Sequence, residues 1–231
     1  LDNLQDLNVT DVFYKGKLVD RNAPIRVKTC GRALKHTVHL DKVKAEQFVL
    51  PIGKKKTHVI GINPSQITTE DLAVSLPPAA NYVPTDGYSK VAAVERHHNT
   101  GKIGVAVAKG YGIRNGAVAS SVSHDSHNII VIGDNDRDMA LAVDEIIRTQ
   151  GGYTVVENGE VFETLPLPIM GLMSDAGFES VNETLGRMIK KAHEMGVPAD
   201  IEPFITLSFL ALPVIPTLRI TPRGLCLLTA K

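Results

Sequence analysis

Val91-Ala92-Ala93-Val94-Glu95-Arg96-His97-His98-Asn99-Thr100-Gly101-Lys102-Ile103-Gly104-Val105-Ala106-Val107-Ala108 sets two short apolar runs on either side of a polar turn. Both are valine- and alanine-rich and of strand length, so Lys90 to Arg96 and Lys102 to Ala108 read as strands. The pattern repeats outward. Thr57 to Ile62, Leu72 to Leu76, Ala117 to Ser121 and Asn128 to Ile132 are further strands, separated by Gly-, Pro- and Asn-rich turns.

Two helices interrupt the strands. Asp134-Asn135-Asp136 supplies N-cap chemistry, and Met139, Val143, Ile146 and Ile147 then fall on one face of a 3.6-residue period. Gly151-Gly152 is expected to end that helix as a left-handed cap. A second helix follows Ser174-Asp175, with Phe178, Val181, Leu185, Met188, Ile189 and Ala192 on one side. Tyr153 to Glu157 and Glu160 to Leu165 enclose Asn158-Gly159, a strong hairpin signal. Lys15-Gly16 predicts another hairpin between Val9 to Tyr14 and Lys17 to Val19. Arg21 to Pro51 lacks a clean period and reads as a connector with irregular or short helical content. Phe204 to Leu212 is apolar on every side, which suits a buried strand or a buried helix. The expectation is an α+β fold: a layered mixed or antiparallel sheet, two main helices and a short amino-terminal hairpin. A boundary is expected near residue 53, giving segments 1–53 and 54–231.

With 231 residues, 43% of them apolar, the chain can bury one good-sized core or two small ones. Its 25 basic and 25 acidic residues cancel, which argues against nucleic acid or an anionic membrane as a main partner. Lys54-Lys55-Lys56 is the one compact basic run and reads as a solvated loop. No apolar stretch approaches the ~20 residues of a membrane-spanning helix, and Pro213 interrupts the most apolar window. Cys30 and Cys226, far apart in sequence, do not suggest a disulfide framework. With no basic-then-apolar leader at the amino end, a cytoplasmic protein is expected. The chain opens on Leu1 rather than Met, which reads as a piece of something longer.

Four of the eight histidines lie in two polar segments, Glu95-Arg96-His97-His98-Asn99 and Ser123-His124-Asp125-Ser126-His127-Asn128. Imidazoles beside carboxylates suit proton transfer or metal ligation. At the end of a strand, the first group sits on the rim of a sheet, where sites are commonly built. Adjacent strand residues face opposite sides, so His97 and His98 share a ligand only if the backbone turns between them. A polar strand end, with one histidine bonded to a carbonyl, explains them equally. His124 and His127 are three apart, close enough for joint action, with Asp125 as orienting partner. Two histidines do not complete a metal site.

Other motifs fail. Gly110-Tyr111-Gly112-Ile113-Arg114-Asn115-Gly116 has its last glycine one residue late for a dinucleotide loop and reads as a turn. The cysteines cannot form the Pro-Cys-x-x-Cys motif of zinc nucleobase deaminases, and no G-x-S-x-G elbow occurs. His36 and His39 read as surface histidines of the connector.

The two histidine segments with their neighbours, Val94 to Gly104 and Ala119 to Asn128, resemble the carboxy-terminal region of the bacterial-type adenine deaminases of the amidohydrolase superfamily. Leu165-Pro166-Leu167-Pro168-Ile169-Met170-Gly171-Leu172-Met173-Ser174-Asp175 and Leu207-Ser208-Phe209-Leu210-Ala211-Leu212-Pro213-Val214-Ile215-Pro216 extend the resemblance, in the family's order. Residues 1 to about 25 look like the end of the small β domain beside the amidohydrolase barrel. The resemblance implies hydrolysis of adenine to hypoxanthine and ammonia, with a divalent metal, manganese or iron, activating water. The superfamily's His-x-His ligand pair is absent here, and a barrel of roughly 250 residues does not fit beside this domain. Metal and barrel are therefore expected outside the chain. On this reading His124, His127 and Asp125 are accessory catalytic groups, and Glu95, Arg96, His97, His98, Asn99 and Asn128 contact substrate, with Glu95 and Asp125 orienting imidazoles. The alternative is a scaffold or dimerisation module, with a second copy as partner and these motifs as buried hydrogen-bond networks.

Overall fold

Turn chemistry sets the strand pairing from the amino terminus onward. The computed structural model describes residues 1–20, 22–23, 30–85 and 87–228, in two compact units, Leu1–Cys30 and Gly31–Lys231. In the first unit, β1 (Phe13–Tyr14) pairs with β2 (Lys17–Leu18). Lys15 and Gly16 both take positive φ, as a type I′ turn demands. The connector's described part contains two short 3-10 turns, Arg32–Lys35 and Ala45–Phe48. Residues 21 and 24–29 of it lie outside the described residues.

The second unit is built on one sheet. Its strands are β3 (Thr57–Ile62), β4 (Thr69–Val74), β5 (Tyr88–Val94), β6 (Ile103–Lys109), β7 (Gly116–Ser120), β8 (Ile129–Gly133), β9 (Gly152–Glu157) and β10 (Glu160–Pro166). They lie in the order β10-β9-β7-β8-β5-β6-β3-β4. β3 runs parallel to β6 and every other pairing is antiparallel. The sheet is thus mixed, as expected. Between β8 and β9 runs α1 (Asp136–Thr149); α2 (Phe178–Glu194) and α3 (Pro203–Leu210) follow the sheet.

Both faces of the sheet are covered, which is why its central strands read as continuous apolar runs rather than alternating ones. Ala92, Val94, Ala119, Ile129 and Val131 pack against Met139, Val143 and Ile146 of α1. Their strand neighbours Val91, Ala93, Ile130 and Ile132 face Met188 and Ala192 of α2 and Phe204 and Leu207 of α3. A third helix was not anticipated as such. The all-apolar segment becomes helical because Pro203 suits a first turn and the Glu202 carboxylate caps the Ile205 N–H. In α2, Phe178 is exposed rather than part of the packed face.

Two further features depart from the sequence reading. The left-handed cap of α1 is Gln150 (φ 60°), not the glycines after it. Gly151 and Gly152 serve close packing instead: a Cβ on Gly151 would lie 2.3 Å from the Gly171 Cα. A hairpin of β11 (Leu218–Thr221) and β12 (Gly224–Leu227) was not foreseen. It lies so close to β6 that a Cβ on Gly104 would stand 2.0 Å from the Thr221 carbonyl oxygen.

One register places the polar segments. Val94, the last residue of β5, pairs with Ile129, the first of β8. Whatever follows Val94 therefore lies beside whatever precedes Ile129, at one end of the sheet.

Candidate functional site

Beyond Val94 the chain turns, and the carboxylate of Glu95 organises the turn. Its Oε1 accepts the backbone N–H groups of His97 (2.6 Å) and His98 (3.0 Å), and its Oε2 accepts the N–H (3.1 Å) and hydroxyl (2.9 Å) of Thr100. Burial alone would raise this carboxyl; the donated bonds outweigh it and hold the group at about 2. Glu95 positions the histidine backbone rather than an imidazole, which departs from the orienting role expected.

Arg96 points inward and is 1% exposed. Its Nε donates to the His127 carbonyl, Nη1 to the Thr37 carbonyl (3.1 Å) and hydroxyl (3.3 Å), and Nη2 to the Met170 carbonyl (3.0 Å). One guanidinium thus ties together the connector, the second histidine segment and the loop after β10. Burial lowers its affinity for the proton, to about 10, still well above neutrality.

The second segment is a tight turn in which the His127 N–H donates to the Ser123 carbonyl at 2.6 Å. The His124 ring packs on Phe209 at 4.8 Å, and its Nδ1 lies 3.9 Å from a carboxylate oxygen of the exposed Asp125. His127 Nδ1 is sealed from solvent and has no hydrogen-bond partner among the described residues. Burial, then the nearby Arg96 charge, lowers the His127 pKa and so disfavours the charged ring. Asn99 is occupied elsewhere: its Oδ1 accepts from the Asp41 N–H (3.1 Å) and its Nδ2 donates to the Asp41 carboxylate (2.9 Å).

These side chains divide between two cavities. Arg96, His97 and His127 line one of about 210 Å³ with Thr37, Met170 and Leu172. His97 also reaches across to the second segment, its Nε2 2.8 Å from the Ser126 carbonyl oxygen. Glu95, His98 and Asn128 line the other, of about 600 Å³, with Lys102 and the β11–β12 turn. The backbone turn sends His97 and His98 to different cavities, while Asn99, His124 and Asp125 line neither. Sequence reading missed Thr37, Leu172 and Arg223 as cavity residues. Thr37 carries no local signal, because only the fold brings the connector to Arg96.

Among the described residues, no three His, Cys, Asp or Glu side chains are grouped so as to hold a metal ion. No described helix is long and apolar enough to cross a membrane.

Residues 66–231 match the family model described as the adenine deaminase C-terminal domain. The chain is 49% identical over 226 residues to an adenine deaminase of Desulfitobacterium hafniense (strain Y51). It is 45% identical over 231 residues to one of Nitratidesulfovibrio vulgaris (strain DP4), and 39% over 233 to one of Clostridium acetobutylicum. Each comparison covers 97% of this chain but only 40–41% of the relative's length.

Proposed function

The chain belongs to the adenine deaminase C-terminal domain family, and from that premise we propose that it is the carboxy-terminal portion of an adenine deaminase, which hydrolyses adenine to hypoxanthine and ammonia. In that reaction water adds to the ring carbon bearing the amine, and ammonia leaves. The divalent metal, manganese or iron, is assigned to the amidohydrolase barrel of the parent enzyme. A cytoplasmic location is part of the same proposal.

The observation that carries this chain's own role is that one imidazole from each histidine segment, His97 and His127, lines the same cavity. We assign that cavity to the purine. His127, its Nδ1 sealed and its cation disfavoured by burial, offers Nε2 for a hydrogen bond to a ring nitrogen or to the departing amine. Arg96 holds the wall, and Glu95 holds the turn that presents His97. His124 and Asp125 are assigned an accessory part in shaping the second segment.

A second reading has its own support. Glu95, Arg96 and Asn99 spend their polar atoms on protein partners, as a scaffold would require. Ammonia release from adenine by the full-length enzyme carrying His97→Ala or His127→Ala separates the two. A tenfold or greater loss of turnover, about 1.4 kcal/mol of activation barrier, with Tm unchanged supports the purine assignment. A lowered Tm with wild-type turnover per folded molecule gives the scaffold.

A further inference from the structure

The 600 Å³ cavity on the other side of the Glu95 turn leans toward hydrogen-bond donors. Its carboxylate and hydroxyl acceptors are in use. Both Glu95 oxygens take bonds from residues 97–100. The Thr221 hydroxyl donates to the Gly224 carbonyl and accepts the Arg223 N–H. Besides the His98 imidazole, which can donate or accept, the polar side chains that remain, Asn128, Lys102 and Arg223, offer donors.

Asn128 is the central case. It is 7% exposed, and its Oδ1 accepts the Arg96 N–H at 3.3 Å. A backbone N–H can only donate, so this bond fixes the amide orientation and leaves Nδ2 as the end without an acceptor among the described residues. Its Nδ2 is not among the sealed polar atoms, so its N–H groups are open to an acceptor that enters the cavity. At the rim, the Lys102 ammonium and Arg223 guanidinium also lack a carboxylate partner among the described residues. Two cations thus face one carboxylate whose lone pairs are occupied. Pro222, Leu225 and Cys226 complete the wall with apolar surface. The volume falls in the range of small-molecule sites, roughly 300–1,000 Å³.

We propose that this cavity binds a small organic anion, its phosphate or carboxylate head on Asn128, Lys102 and Arg223 and its apolar body against Pro222, Leu225 and Cys226. The site is separate from the His97–His127 cavity and does not depend on the assignment of adenine there.

Calorimetric titration of this chain with phenyl phosphate, phenylacetate, benzyl alcohol and benzylamine tests the idea, since the four share a ring and differ in the head. One or both anions should bind at least about tenfold more tightly than the alcohol and the amine, and which anion wins identifies the head group. Lys102→Gln with Arg223→Gln, both at exposed positions and harmless to folding, should weaken the anion at least about tenfold. Asn128→Asp keeps the acceptor for Arg96 while replacing the free donor by a charge, and should abolish binding. The proposal is overturned by equal binding of alcohol and anions, by no anion binding at about 10 mM, or by wild-type affinity in the double variant.

Discussion

Glu95 holds Thr100 twice, once through the backbone N–H at 3.1 Å and once through the hydroxyl at 2.9 Å. Six residues of chain, Glu95 to Thr100, are thereby closed into a ring around one carboxylate. The Glu95 pKa in the folded chain, about 2, lies below its ordinary 4.5. The stabilisation is therefore fully present above pH 4.5 and is lost as pH falls toward 2. Glu95→Gln should flatten the pH dependence of unfolding across that window and destabilise the chain at pH 7 by about 1–3 kcal/mol. Urea melts at successive pH values measure both; an unchanged slope would remove Glu95 from this role.

Arg96 and Arg219 use the same device. Arg219 is buried and donates to the carbonyls of Ile215, Phe209, Ile67 and Pro216, again with no carboxylate partner among the described residues. Replacing either by Met strands three or more carbonyls away from water. Each variant should lose at least about 3 kcal/mol, whereas Arg148→Met, which breaks only an exposed pair with Glu145, should lose less than about 1 kcal/mol. Chemical denaturation of the three variants gives the ranking.

His127 should titrate below 6.5 in the folded chain, because burial and then the Arg96 charge disfavour its cation. The unfolded chain then binds more protons just below 6.5, so this histidine's contribution to stability falls as pH drops through that range. Asp125 acts the other way, favouring the charged ring. Asp125→Asn should lower the His127 midpoint further, read from its imidazole proton shifts by NMR. A rise would contradict the assigned field.

Gly104→Ala would drive a Cβ to 2.0 Å from the Thr221 carbonyl oxygen and 2.6 Å from the Gly224 nitrogen. Both are backbone atoms, so the β11–β12 hairpin must move away from β6. Hydrogen exchange should accelerate over Leu218–Leu227 while the central strands β5, β7 and β8 stay protected. Anion binding in the large cavity should weaken as well, since Arg223 and Leu225 belong to that hairpin.

Much of the sheet was legible because its strands are punctuated by turn residues that leave little choice. Asn158 and Gly159 both adopt positive φ, and the hairpin they announce lies where expected. The β11–β12 hairpin escaped because Arg219 sits mid-strand: a buried cation breaks the apolar run that marks a strand, and only the carbonyls around it explain its place. The α1 cap moved one residue because the Gln150 side chain bonds the Ile147 carbonyl and the Val38 N–H, anchoring a left-handed residue that would otherwise favour glycine. At the site, the sequence marked the two histidine segments. It did not reveal that His97 and His98 part company, because that depends on which backbone groups Glu95 captures.

The pairing of Val94 with Ile129 has a consequence for how the molecule is made. The two histidine segments are about thirty residues apart, and neither contains a shaped cavity by itself. Were β5 to pair one position out of step with β8, every side chain would exchange faces, and the inward alanines and valines of β5 would meet the wrong layer. The same mistake would part His97 from the Ser126 carbonyl oxygen it reaches. Assembly of the site is thereby a by-product of correct strand alignment, and a misaligned chain carries its defect in the core and in the pocket together.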